Sequence, residues 1–359
     1  MTRAILLDLS QQIKAATRIR EGLAEPLMEK CSLLFDEIAI AFLPHQATEL
    51  ANVLGRVSPT IIESDSDALL EEYYLPHRLR QMRSVHSDTW LFTTREGVRS
   101  LPWSSLHLFV HEDPRERKKQ ETLNRQSVRA QFLHARTQLR FQTNVKRAVA
   151  ITTPSNWTVE TLRNNYPTSP ALERARVAYE GAFDRDESIA PREERSYVLL
   201  SSSRDQRDRT GWAEDVLRSA MTVLPIMPEI RVFGKGDSTT MTIAHKACGF
   251  VDDESLRTLY RGALVYIHPT NFEGFGLPLA EAMQAGTPVI APCGSAVTEV
   301  AGEGAFKTID SAAKYLSELI TNAEQWKAAS AAALKRAKVY RWDRCAGIIV
   351  EQMTNVLEE

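Results

Sequence analysis

The chain has 359 residues, of which 43% are hydrophobic and 25% charged, and its formal net charge at pH 7 is −2. This length predicts two domains that each bury a core. The small net charge excludes a global attraction to nucleic acid or anionic membrane, so such an attraction would need a local patch. The four cysteines form no Cys-x-x-Cys pair, which argues against a zinc ribbon or a disulfide framework. Because no signal peptide or membrane-length apolar run is visible, we expect a cytoplasmic protein.

In the first half of the chain, short apolar runs alternate with longer helical stretches. This alternation is typical of parallel sheets with helices on both faces. The predicted strands are 4–7, 37–43, 60–62, 90–93, 106–110 and 147–152, and the predicted helices are 11–30, 47–54, 115–146 and 157–166. Residues 180–196 are charged, contain Pro191 and show neither period, so we interpret them as an interdomain linker.

The alternation starts again at Tyr197 and ends in a helical tail. The predicted strands are 197–200, 230–233, 263–267 and 287–291, and the predicted helices are 211–223, 253–261 and one that begins near Pro278. We therefore expect an α/β fold with two doubly wound domains, 1–185 and 186–340, followed by a closing helix, 341–359, that is able to pack back on the first domain.

The stretch from 268 to 291 contains a glycine loop that opens a helix after a buried strand. Pro278 suits a first helical turn, and Gly286 suits the end of the helix. A helix start of this kind binds anions, because its N–H groups and dipole point towards them. Glu273 and Glu281 bracket the helix start, which suits a phosphate-linked polyol. Taken singly, Glu273 has a simpler interpretation as a helix-dipole partner and Glu281 as an exposed helix residue.

Two further loops follow strands of the same predicted sheet. The first contains Arg204, Arg207 and Arg209, and the second contains Gly234 and Lys235. Loops at the carboxyl ends of parallel strands converge on one crevice, which predicts a diphosphate pocket. A solvated arginine loop is the competing interpretation of 204–209.

The stretch Glu-Gly-Phe-Gly-Leu-Pro, with a second Glu eight positions after the first, resembles the signature of retaining GT-B glycosyltransferases of family four. Residues 249–254, 299–302 and 340–343 resemble segments around that signature. The resemblance covers about 197–350 well and the first half only in outline.

The resemblance implies two Rossmann-like domains that face a cleft, the first for the acceptor and the second for a nucleotide-sugar donor. Glu281 would hold the ribose, and Glu273 the donor sugar. The other implied site residues are the 274–277 loop (Gly274, Phe275, Gly276 and Leu277), the diphosphate ligands Arg204 and Arg209, the glycine turn Gly234 and Lys235, the base-contacting strand Gly249, Phe250 and Val251, and His111 in the sugar pocket.

The implied activity is retaining transfer of a hexose, such as mannose or glucose, from a nucleoside-diphosphate sugar to a glycan or lipid-linked acceptor. Bacterial surface polysaccharide synthesis is the commonest use of such enzymes. No cofactor, metal or nucleic acid is expected. The alternatives are a GT-B epimerase or phosphorylase, and a degenerate subunit that binds a protein or glycan. The degenerate subunit is favoured by the sequence after the first strand, where Ser10 and its neighbours include no glycine.

Asp65-Ser66-Asp67 matches the Asp-x-Asp pattern of metal-binding sites. Helix capping is the simpler interpretation of these residues.

Residues 115–147 form a basic stretch that contains ten Lys or Arg residues against Glu116 and Glu121. We favour a solvated basic helix that packs through Val128, Phe132, Leu133 and Leu139. The alternative is peripheral docking on anionic lipid at the inner face of the membrane.

Overall fold

The computed structural model describes residues 2–9, 16–42, 60–63, 74–94, 98–111, 128–183, 194–202, 210–234 and 241–359. The described residues form two compact units. The first contains those up to Gly181 and those from Arg341 to Glu359, and the second contains those from Ala182 to Tyr340.

The first unit is built on a parallel sheet in the order β3-β2-β1-β4-β5-β6-β7. Its strands are β1 Arg3–Asp8, β2 Glu37–Phe42, β3 Thr60–Glu63, β4 Asp88–Thr93, β5 Ser105–Phe109, β6 Ala150–Thr153 and β7 Arg176–Val177. Its helices are α1 Ala16–Cys31, α2 Leu75–Val85, α3 Val128–Arg147, α4 Asn156–Asn165, α5 Pro170–Glu173 and the closing helix α12 Trp342–Glu358.

The second unit is built on a parallel sheet in the order β10-β9-β8-β11-β12-β13. Its strands are β8 Tyr197–Ser202, β9 Glu229–Gly234, β10 Lys246–Gly249, β11 Ala263–Ile267, β12 Val289–Pro292 and β13 Ala305–Phe306. Its helices are α6 Thr210–Met221, α7 Asp253–Gly262, α8 Leu277–Gln284, α9 Ser295–Ala301, α10 Ile309–Thr321 and α11 Ala323–Ala337.

Both sheets confirm the predicted doubly wound α/β fold. In each, the first strand of the unit lies in the middle, and the chain builds outward first to one side and then to the other. The order reverses between β1 and β4 in the first unit and between β8 and β11 in the second. Ligands of such sheets bind at the carboxyl ends of the two strands that flank this reversal.

The structure corrects several expectations. Arg147 ends α3, and the strand predicted at 147–152 begins at Ala150. Two short strands, β7 and β13, and helices α5 and α9 were not predicted, because two to seven residues show no clear period. The predicted helix 47–54 lies outside the described residues.

The basic helix does not pack as expected. Leu139, expected on its buried face, is 66% exposed, whereas Phe141, Asn144 and Val145 are buried. The helix therefore turns a different face to the core. Within the described ranges, no helix combines the length and apolar character that crossing a bilayer requires.

The segment interpreted as an interdomain linker has buried residues near both ends. Glu180, Ala182 and Arg195 are all buried, and residues 184–193 lie outside the described part of the chain. The Arg195 guanidinium donates from Nη1 to the backbone oxygen of Ala263 (2.9 Å) and to Thr287 Oγ1 (2.7 Å), and from Nη2 to the backbone oxygen of Ala285 (2.6 Å). It also stacks over the ring of Trp326 at 5.1 Å. Arg195 thus joins the ends of α7 and α8 to the start of β11.

Replacement of this arginine should destabilise the second unit. We expect Arg195→Met to lower the free energy of unfolding by about 3 kcal/mol, because it strands several buried acceptors at once. Arg218→Met is the matched control, since Arg218 pairs with Glu214 at the surface and its loss should cost less than about 1 kcal/mol. Urea unfolding followed by circular dichroism measures both. Equal losses in the two variants would contradict the role of Arg195.

Candidate functional site

The connection from β11 to α8 forms as the sequence predicts. β11 is buried along its whole length, as expected for a central parallel strand. Gly276 caps α8 with φ +103°, a left-handed conformation that favours glycine, and Pro278 lies in the first turn. Gly286 has φ +68° and follows the helix end, where its N–H donates to the backbone oxygen of Met283 (3.1 Å). The helix N-terminus therefore opens at the carboxyl end of β11.

A turn after β12 holds the glycine loop. The backbone N–H of Glu273 donates to Ser295 Oγ (2.8 Å), and Ser295 Oγ donates to the backbone oxygen of Asn271 (3.0 Å). In the described part of the chain, Ser295 is the only residue other than glycine with a positive φ (+40°). A Cβ at Gly294 would lie 2.4 Å from the backbone oxygen of Asn271. Close approach of the two loops thus requires Gly294, and Ser295 fixes the backbone that carries Glu273.

The two glutamates lie in different environments. Glu281 is only 3% exposed, and its Oε2 accepts a hydrogen bond from the Tyr260 hydroxyl (3.3 Å). The side chain of Glu273 is 28% exposed. The simpler interpretation of Glu281 as an exposed helix residue is therefore wrong. A buried carboxylate needs hydrogen-bond donors, because burial of an unpaired charge is expensive.

Aromatic rings surround the tyrosine that contacts Glu281. The Tyr260 ring meets those of Tyr266 and Phe233 edge-on, with centroid distances of 5.5 and 5.9 Å. These rings come from α7, β11 and the end of β9. They bring the ends of these three elements together beneath α8.

A chain of polar side chains crosses from β8 to β11. Ser201 Oγ lies 2.7 Å from the Tyr266 hydroxyl, which lies 3.0 Å from His268 Nδ1. His268 Nε2 lies 4.0 Å from Glu273 Oε1. Burial lowers the pKa of His268 to about 3, so the ring is neutral at ordinary pH. No pattern in the sequence indicated a role for Ser201, Tyr266 or His268.

Of the other residues predicted to bind the nucleotide sugar, the structure describes some. Gly234 ends β9 with φ +121°, and a Cβ there would lie 1.9 Å from the backbone oxygen of Ser202. Phe275 is fully buried and meets the Tyr340 ring edge-on at 5.3 Å. Leu277 is also buried. Gly274 lies in the same loop, between Glu273 and Phe275. The side chains of Phe275 and Leu277 thus belong to the core.

Other predicted residues differ from expectation or lie outside the described ranges. The strand β10 ends at Gly249, so Phe250 and Val251 follow it instead of forming it. Phe250 is 72% exposed. Arg204, Arg209, Lys235 and Asp65-Ser66-Asp67 lie outside the described residues.

His111 belongs to the first unit and is paired with a carboxylate. It lies two residues after β5, and its Nδ1 is 2.7 Å from Glu180 Oε1. Glu180 is fully buried, and its Oε2 has no hydrogen-bond partner among the described residues. Sequence analysis placed Glu180 in the linker, because the two-residue strand β7 that precedes it shows no period. The structure instead makes Glu180 the residue that orients the His111 ring.

The chain is similar to known proteins over most of its length. The family described as glycosyl transferases group 1 matches residues 239–336, which include Glu273, Glu281 and the 274–277 loop. The chain is 23% identical to O-antigen chain mannosyltransferase B of Escherichia coli over 294 residues, which is 76% of this chain and 70% of that protein.

Two solved structures share the fold. One is WaaG, a glycosyltransferase involved in lipopolysaccharide biosynthesis, with 14% identity, a TM-score of 0.64 and coverage of 97% of this chain and 99% of that chain. The other is Anabaena Alr3699/HepE in complex with UDP and glucose, with 13% identity, a TM-score of 0.61 and coverage of 100% of both chains. The chain has the GT-B fold, and its residues 239–336 match the group 1 glycosyltransferases. The resemblance to the family-four enzymes is thereby confirmed.

The pairing of His111 with Glu180 in this glycosyltransferase has a measurable consequence. We expect His111→Leu to lower the free energy of unfolding by about 3 kcal/mol, because it leaves the Glu180 carboxylate buried without the ring N–H. The double variant His111→Leu/Glu180→Gln should lose less, since a neutral amide costs less to bury than a carboxylate. Guanidinium unfolding measures both. A double variant less stable than His111→Leu would show that the carboxylate does not depend on the histidine.

Proposed function

We propose that this glycosyltransferase moves a hexose, with mannose the first candidate, from a nucleoside-diphosphate sugar to a glycan or lipid-linked acceptor with retention of configuration. The observation that carries the proposal is the β11–α8 unit. There Glu273 and the buried Glu281 lie on either side of a helix N-terminus that starts at the left-handed Gly276. This arrangement combines an anion site with two carboxylates that accept from hydroxyl groups.

The donor would bind at the carboxyl end of β11. The first N–H groups of α8, at Gly276 and Leu277, have no carbonyl of the preceding turn to bond, and they suit a phosphate oxygen. We assign the donor sugar to Glu273 and the ribose to Glu281. The bond between Tyr260 and Glu281 Oε2 fixes that carboxylate. Gly234 would let the backbone of β9 approach the nucleotide closely, and Phe250 and Val251 would border the base.

The chemistry needs charge stabilisation more than a protein nucleophile. The bond from the anomeric carbon to the diphosphate oxygen breaks, and the acceptor oxygen attacks on the same face. The proton of the acceptor passes to a phosphate oxygen of the leaving group. Arg204 and Arg209 would stabilise the departing diphosphate together with the helix N-terminus, so no metal is needed in this proposal. We assign the acceptor to the first unit, with His111 directed by Glu180.

Names of similar proteins narrow the proposal. The relative that aligns with 76% of the chain is named a mannosyltransferase of the O-antigen chain, which favours GDP-mannose as donor and a surface polysaccharide as product. The HepE structure contains UDP and glucose, which keeps UDP-sugars as the second choice. Synthesis of such a polysaccharide would take place at the cytoplasmic face of the membrane.

A donor screen tests the proposal. The chain is incubated with GDP-, UDP- and dTDP-sugars, first alone and then with oligosaccharide acceptors. We expect slow hydrolysis of one donor alone, and with acceptor a glycoside of the same anomeric configuration as the donor, determined by NMR. Epimerised donor without acceptor would indicate an epimerase, and turnover of a free sugar phosphate a phosphorylase. No binding of any nucleotide in calorimetry would indicate a degenerate subunit.

Two variants serve as controls of the site assignment in that screen. Glu281→Ala should weaken donor binding at least about tenfold, because a buried charged acceptor is lost. Arg209→Ala should lower kcat by about 100-fold or more, since it removes a cation that stabilises the leaving group. Arg218→Ala, on the surface of α6, is the matched arginine control. Unchanged kinetics in both site variants would refute the assignment.

We further propose that α3 brings the enzyme to anionic lipid. The apolar side chain of Leu139 and the ammonium group of Lys146 are exposed on this helix. Arg147 is not available, because it donates to Ser100 Oγ and to the backbone oxygen of Leu101. Attraction is about 1 kcal/mol for each basic residue near the membrane surface.

Vesicle flotation tests the contact with lipid. We expect recovery with anionic vesicles at low salt, less at moderate salt because charges are screened, and less again for Leu139→Glu. Equal recovery with neutral and anionic vesicles would end the idea.

A further inference from the structure

His268 is a buried residue whose ring is only half satisfied. It follows β11 directly and is 2% exposed, yet Nε2 has no hydrogen-bond partner among the described residues. Unpaired buried polar atoms are costly and rare in native proteins, so each one calls for an explanation. The Glu273 carboxylate lies close by, with its Oε1 4.0 Å from Nε2.

The hydrogen-bond chain behind His268 has one consistent direction. A neutral imidazole carries one N–H, and a carboxylate only accepts, so the nitrogen that faces Glu273 is the protonated one. Nδ1 then accepts from the Tyr266 hydroxyl at 3.0 Å. Tyr266 in turn accepts from Ser201 Oγ at 2.7 Å. Every proton in the chain therefore points from β8 towards the loop of Glu273.

The last link of this chain, from His268 Nε2 to Glu273 Oε1, is slightly too long for a hydrogen bond. A distance of 4.0 Å exceeds a hydrogen bond, but a shift of roughly 1 Å would bring Oε1 to bonding distance. The backbone of Glu273 is held by Ser295, while its side chain is 28% exposed. Because Ser295 holds the backbone, the missing link calls for a change in the side-chain torsions of Glu273.

We propose that His268 is a positioning residue for Glu273. Its Nε2–H, aligned by Tyr266 and Ser201, holds one carboxylate oxygen when the donor binds and leaves the other for a hydroxyl of the donor sugar. The inference rests on the proposed role of Glu273. It also connects the two strands at the reversal of the sheet, because Ser201 lies on β8 and Tyr266 on β11.

A double-variant cycle tests the proposal. We expect His268→Phe to lower donor kcat/KM about tenfold to a hundredfold, in line with the loss of a hydrogen bond to a charged group. The same change in a Glu273→Gln background should cost less than about threefold, since the partner is already altered. Where that background turns over too slowly, donor affinity by calorimetry replaces kcat/KM. Equal losses in both backgrounds would overturn the proposal.

Two further variants separate positioning from packing. His268→Gln can place an amide N–H near Nε2, so it should recover most of the activity lost in His268→Phe. His77→Phe, on α2 in the first unit, is the matched histidine control and should leave donor kinetics unchanged. Thermal unfolding of each variant identifies any that fail to fold. Loss of activity in His268→Gln as large as in folded His268→Phe would contradict the role of the N–H.

The tautomer of His268 gives a readout that does not need activity. Two-dimensional nitrogen–proton NMR of the imidazole should show the proton on Nε2 in the wild type, with Nδ1 unprotonated. The proposal is overturned if the proton is on Nδ1. Absence of turnover with every donor would instead refute the proposed function, while the tautomer would still report on this arrangement.

Discussion

One buried cation joins several elements of the second unit. Arg195 donates to backbone oxygens at the ends of α7 and α8 and to the hydroxyl of Thr287. Burial lowers its pKa to about 10, so it stays charged at neutral pH. Helix C-termini carry partial negative charge, which compensates a cation in this place. Because Tyr260 lies in the last turn of α7 and Glu281 lies on α8, this arginine helps to determine where the two partners meet.

The glycine loop is constrained in a second way, by the turn at Gly294 and Ser295. The turn fixes the backbone of Glu273, whereas the carboxylate itself remains partly exposed. Glu281 is buried and bonded to Tyr260. Two carboxylates eight positions apart are therefore unequal: one is buried in the core, and one is partly exposed. This difference is consistent with separate contacts to ribose and to the transferred sugar.

The sequence predicted those features that depend on neighbouring residues. Strand β11 has the predicted bounds. A short run of apolar and β-branched residues has the length and composition of a buried strand. The start of α8 followed from Gly276 and Pro278, whose backbone preferences act within a few positions. The family signature identified Glu273 and Glu281 for the same reason, since all its members lie in one short stretch.

Other features depended on residues far apart in the chain, and sequence analysis missed them. Arg195 and Glu180 were assigned to an interdomain linker, yet their partners Thr287 and His111 are 92 and 69 positions away. The sequence by itself determined the alternation of strands and helices, the helix start and the enzyme family, because period, glycine, proline and a contiguous motif are local signals. Only the tertiary structure decided which polar side chains are buried together, because a buried charge is tolerated only where the fold brings its partners to it.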